Sequence, residues 1–185
     1  LEEANKRYLT VNGQEFQPGD RGKLLFNLAF CRECGQEYFP VWATVENKTA
    51  TFISKREISE KSHTNDEVQS GFFMLDPDQD FDPDDLDGGY PEDWLEFIEG
   101  VPRLKSHFRQ YRPQPVRFGT EGEEDSNGLP GWYISGTFRF CLNKECGIGD
   151  DRSTRSDISK LSSLSSEGRS SATTVLTLSA LRYLI

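Results

Sequence analysis

The chain has 185 residues, 35% apolar and 28% charged, with 31 acidic side chains against 21 basic ones and a net charge of −10. A chain of that length buries roughly 70% of the surface its unfolded form exposes, enough for one domain or one domain with an appendage. No run of apolar residues is long enough for a helical membrane span, and no basic-then-apolar leader precedes the first strand-like segment, which points to a soluble, cytoplasmic protein.

In chain order, residues 1–21 mix charges with Gly13, Pro18 and Gly19 and read as an opening hairpin or linker. Residues 23–30 are apolar, short and bounded by Gly22 and Cys31, which favours a strand. Residues 37–45 and 49–54 flank Glu46-Asn47-Lys48 as a hairpin, and Pro40 places the first of them at a sheet edge or on a bulge. The polar stretch 57–70 suits a loop or a loose helix, and 71–75 a buried strand. Residues 91–98 predict a short helix, with Pro91 at its first position, acids in the first turn, and Trp94, Leu95 and Ile98 on one face. Further strands are expected at 115–118 and 131–140, separated by a polar loop over 120–130. After Cys146 the chain turns rich in Ser and Thr, with helical apolar spacing at Ile158, Leu161 and Leu164 and again at Val175, Leu178 and Leu181. The expected fold is α+β: a β-rich, zinc-ribbon-like body over 1–149 with an acidic loop at 76–89, and a C-terminal helical arm over 150–185. No fixed-period repeat is visible. The chain opens on Leu1, and its apolar last stretch ends without a Gly, Pro or polar cap, so it reads as a piece of a longer polypeptide.

The acidity is local. Residues 76–99 hold eleven acids and no Lys or Arg, so the remainder carries a net +1. Such a run, broken by Pro77, Pro83, Gly88 and Gly89, reads as a solvated loop. Asp76, Asp78, Asp80 and Asp87 also fall at the first, third, fifth and twelfth positions of a calcium loop, although Phe81 stands where the sharp turn wants Gly. A third possibility is a phosphate mimic folded over a basic groove.

The four cysteines form two tight pairs, Cys31-x2-Cys34 and Cys141-x4-Cys146, each followed by Gly. Tetrahedral zinc takes four thiolates with sulfur about 2.3 Å from the metal, and two short loops deliver them without strain. One structural zinc ion is the expectation, since a shell of four thiolates leaves no open position for substrate. Two disulfides are the alternative, and a redox C-x-x-C would leave the second pair unexplained. The 106 residues between the pairs make closure entropically costly, so the metal should tie the first and last strands of the body together.

No phosphate-binding loop, dinucleotide fingerprint or nucleophile elbow is present. His63 and His107 read as surface residues, and no carboxylate pair has the apolar surround that an acid/base hydrolase needs, so no catalytic residue is assigned. Arg103, Lys105, His107, Arg109, Arg112 and Arg117 interleave with Phe108, Tyr111 and Phe118. That pattern suits phosphate contacts and base stacking, or equally a solvated stretch that neutralises the acidic run. Residues 165–171 offer hydroxyls and Arg169 to an oxyanion, or ordinary Ser caps to a helix. Arg109, Arg112, Arg117 and Arg169 are the candidate nucleic-acid contacts.

Residues 30–41, with 140–146 and 161–176, resemble large bacterial DEAD/DEAH-box superfamily 2 helicases. In that family a four-cysteine insertion lies between two RecA-like motor lobes, and a Ser/Thr-rich helix leads into the second lobe. The resemblance covers mainly 24–45 and 131–185 and leaves the acidic middle unmatched. It implies an ATP-dependent motor on nucleic acid, DNA being the first expectation, with the motor lobes as partners. ATP and magnesium would belong to the parent protein alone, because the phosphate loop, the DExH acids and the arginine fingers are missing here. The chain would then be a structural-zinc accessory domain that guides nucleic acid or docks a partner. The alternative is a protein-interaction zinc module that contacts partners through its acidic segment.

Overall fold

Strands carry most of the backbone hydrogen bonding of this chain. The computed structural model describes residues 7–10, 14–60, 65, 67–146 and 160–163. In order, the strands are β1 (Phe16–Gln17), β2 (Asp20–Leu24), β3 (Ala29–Cys31), β4 (Glu37–Glu46), β5 (Thr49–Lys55), β6 (Val68–Leu75), β7 (Leu95–Ile98), β8 (Val101–Leu104), β9 (Gln114–Phe118), β10 (Leu129–Ser135) and β11 (Leu161–Ser163). One helical turn, α1 (Leu86–Gly89), and two 3-10 turns, Glu92–Trp94 and Ser106–Tyr111, interrupt them. The main antiparallel sheet runs β11-β3-β4-β6-β10-β9, with β5 also paired to β4, while β1-β2 and β7-β8 are separate two-stranded ribbons. The expected β-rich body is present. Among the described residues no helix is long and apolar enough to cross a membrane.

Successive side chains of a strand point to opposite faces, so a strand covered on both sides must be apolar at every position. β6 meets that condition over 72–75, where Phe72 and Phe73 are both fully buried, on opposite faces. On one face Phe73 joins Phe39, Val41, Phe118 and Tyr133. On the other, Tyr38, Phe72 and Ile134 lie beneath Phe81, Trp94, Phe108 and Phe138. The second layer is held by ring contacts, with Trp94 stacked on Phe108 at 4.6 Å and set edge-on to Phe140 at 4.9 Å.

The β4–β5 hairpin turns at Asn47 and Lys48, whose φ values of 50° and 70° suit the tight turn that matches strand twist. Pro40 is not at an edge, since β4 pairs on both sides and Pro40 stands opposite Phe72 of β6. A residue's N–H and C=O leave the strand on the same edge, and the Pro40 carbonyl accepts from Arg56 N just past the end of β5. The missing N–H therefore faces that edge and costs no bond to β6.

Several boundaries differ from expectation. Residues 25–28 separate β2 from β3, so 23–30 is not one strand. The segment 131–140 leaves the sheet after Ser135, where Gly136 at φ 78° turns the chain and carries Phe138 and Phe140 into the core. The helix expected over 91–98 is a 3-10 turn followed by β7. Glu99 and Gly100, at φ 53° and 79°, fold β7 back on β8, and that pairing replaces the helix.

Of the expected C-terminal helical arm, the described part is a strand. β11 pairs with β3 through Leu161 opposite Cys31, and Leu161 is fully buried. The rest of the arm lies outside the described residues. If β11 belongs to the body, Leu161→Ala should lower unfolding free energy by about 2–4 kcal/mol in urea titrations. A change within about 0.5 kcal/mol, the range of surface substitutions, would detach it.

Candidate metal centre

β3 ends on Cys31, and the chain turns at once. Gly35 at φ 79° donates its N–H to the Cys31 carbonyl at 2.9 Å, and Cys31 N donates to Gln36 O at 2.9 Å. A residue with a side chain adopts that backbone angle only at a cost, which is why Gly follows the second thiol. Inside the turn, the N–H groups of Glu33 and Cys34 point at the Cys31 sulfur. A second turn follows Phe140, where Cys146 N donates to Asn143 O at 2.9 Å and Asn143 Oδ1 accepts from Glu145 N at 2.9 Å. The Asn143 N–H is directed at the Cys141 sulfur.

The two turns face each other. Cys31 Sγ lies 3.6 Å from Cys146 Sγ, Cys34 Sγ lies 3.6 Å from Cys141 Sγ, and all four sulfurs fall within 4.8 Å of one another. A tetrahedron with metal–sulfur distances of about 2.3 Å has edges of about 3.8 Å, so the cluster could hold one metal ion. All four cysteines are free thiols, which removes the disulfide alternative. Cys31 and Cys141 are buried and Cys34 and Cys146 half-buried. Four protein donors would complete a tetrahedral shell around such an ion.

A hydrogen bond from the Cys141 thiol, with the N–H groups of Cys34 and Glu33, holds the Cys31 thiol down to about 5 against the burial that opposes it. The same bond, reinforced by burial, pushes Cys141 up. Sequence reading did not find Tyr38, which is fully buried on β4 with its hydroxyl 3.2 Å from Cys141 Sγ. The available signal was its place four residues after Cys34, on an inward-facing position of the next strand.

The acidic run is not a calcium loop. Asp76 is only 5% exposed, and its carboxylate accepts from Asp80 N at 2.9 Å, Phe81 N at 3.2 Å and Trp132 Nε1 at 2.7 Å. These donors take the lone pairs a cation would need. Phe81, at the position where the calcium loop wants Gly, is buried against Trp132. Farther along, Asp85 caps α1 through Gly88 N and accepts from Lys144 Nζ at 3.1 Å, an interaction that holds the Asp85 carboxyl below its usual range. The loop therefore leans on the second cysteine turn, which carries Lys144.

The basic residues are spread over several elements. Arg109, in the 3-10 turn Ser106–Tyr111, donates to Leu104 O at 3.3 Å. Arg112 donates to Pro83 O and pairs with Asp84, and Arg117 on β9 donates to Gly128 O at 3.1 Å. Arg112 thus neutralises the acidic loop. His107 is exposed, as expected of a surface histidine, with its ring against Phe108. Arg169 and His63 lie outside the described residues.

Thiolates bind a metal only when deprotonated, so protons compete with the cation for the four sulfurs and acid opposes metal binding. Cobalt-loaded protein should accordingly release its metal on acidification, read from loss of the thiolate-to-cobalt absorbance, and an absorbance unchanged by acid would contradict thiolate ligation. For the acidic loop, Asp76→Ala should cost about 1–3 kcal/mol in urea unfolding, because it strands the partly buried Trp132 N–H and the backbone N–H groups of Asp80 and Phe81. Calcium should leave the thermal transition of the unsubstituted protein where it was.

No protein-family model matches the chain, and neither a curated protein nor a solved structure matches it.

Proposed function

We propose that the chain is a structural-zinc accessory domain of an ATP-dependent nucleic-acid helicase, a cytoplasmic and non-catalytic module that guides nucleic acid past the motor or docks a partner on it. The observation that carries the zinc assignment is the convergence of four cysteine sulfurs within 4.8 Å. Soft thiolates in a four-donor shell favour zinc over the hard cations that prefer oxygen. Among the described residues no other set of three or more metal-ligating side chains converges, which speaks against a hydrolytic metal centre.

The helicase assignment rests on the resemblance of the cysteine turns and the C-terminal stretch. It draws support from the pairing of β11 with β3, which links the chain beyond the cysteines directly to the first metal turn. A metal at that point would stiffen the junction through which the domain follows the motor. ATP and magnesium would act in lobes outside this chain.

A second reading, a protein-interaction module without nucleic-acid contact, is favoured by the state of the basic side chains. Arg109, Arg112 and Arg117 already hold oxygens of their own chain. In addition, the tip of the β7–β8 ribbon exposes Phe97 (67%), Ile98 (43%) and Val101 (54%).

Purified protein should contain one zinc per chain by elemental analysis, and Cys31→Ser or Cys141→Ser should abolish both the metal and the cooperative thermal transition. Labelled single-stranded DNA should bind with a log–log salt slope near −2 if three arginines reach phosphates. Absence of binding at low salt would leave the interaction module standing.

A further inference from the structure

We propose that Tyr38 is the outer hydrogen-bond donor to the metal centre, and that it fixes and tempers the Cys141 ligand. The inference rests on the four-thiolate reading above. Tyr38 is fully buried on β4, and its ring packs edge-on against Phe138 at 4.8 Å. Its hydroxyl lies 3.2 Å from Cys141 Sγ and accepts the N–H of Leu142 at 2.8 Å. A phenol has one proton to give. With Leu142 donating into the oxygen, that proton is free to point at the sulfur, and a thiolate ligand can only accept it.

Phenylalanine would fill the same volume. A buried hydroxyl is costly unless its hydrogen-bonding capacity is used, and here both directions end on the second cysteine turn, a full 103 residues along the chain from Tyr38 in the case of Cys141. Tyr38 is therefore a positioning residue that joins the strand following the first cysteine turn to the turn bearing the second pair. The bond gives the buried Cys141 sulfur a side-chain donor. By withdrawing charge from that sulfur it should lower its nucleophilicity and slow loss of the metal.

The test uses the whole chain loaded with cobalt. In Tyr38→Phe the sulfur-to-cobalt charge-transfer band should move to longer wavelength, because a thiolate without its donor gives up an electron more easily. Metal transfer to a competing chelator should become about 10-fold faster. A ring-fluorinated tyrosine at position 38, a stronger donor of the same shape, should move the band the other way, and it decides the matter if Tyr38→Phe does not fold. One cobalt per chain with an unmoved band and unchanged release in either variant would overturn the role of Tyr38 alone. Wild-type protein that takes up no cobalt would overturn the four-thiolate reading and this inference with it.

Discussion

The structure depends on the meeting of two cysteine turns that lie 106 residues apart in the chain. Left without counter-charge, four thiols packed within 4.8 Å compete for protons, as the opposite displacement of Cys31 and Cys141 indicates. A divalent cation bound there would resolve the competition and close the long loop in one step, so that free energy of binding would become free energy of folding. Every element of the main sheet except β3 and β11 lies within that loop, which makes the cysteine cluster the point where the ends of the sheet are gathered.

The aromatic layer over the sheet serves the same junction. Phe138 and Phe140 leave β10, fill the space above Tyr38 and Trp94, and deliver Cys141 to its place. The acidic segment, despite its charge, is built into this layer. Asp76 anchors its start through Trp132, Phe81 inserts as a core residue, and Asp85 reaches Lys144 on the second cysteine turn. Surface ion pairs of this kind contribute little individually. The buried ring and the fully engaged carboxylate do more to hold the segment, and they also explain why charge spacing alone suggested a cation site.

Functional assignment follows from what a closed tetrathiolate can do. With an ion bound it would supply rigidity and leave no open coordination position, so that contacts with other molecules would fall to the surfaces around it. Two such surfaces are set on the same scaffold: arginines held by backbone oxygens and by Asp84, and an apolar ribbon tip that projects from the body. β11, seated on β3, sets Leu161 opposite Cys31 at the edge of the same site.

Residue type and spacing alone determined the cysteine pairs, the β4–β5 hairpin and the buried strand at β6, because each depends on neighbours within a few positions and on a side-chain period of two. Tertiary structure alone decided the rest. Local signals at Pro91 and Glu92 favoured a helix, and pairing with β8 across Glu99-Gly100 overrode them. Helical spacing at Leu161 gave way to the free edge of β3, while Pro40 entered a central strand because its missing donor faces the edge beyond the end of β5. Tyr38 looked like any aromatic residue in a strand, since its partner sulfur is far away in sequence. Short-range chemistry can be read along a chain, but a hydrogen bond or an edge pairing between distant segments exists only once the fold has brought them together.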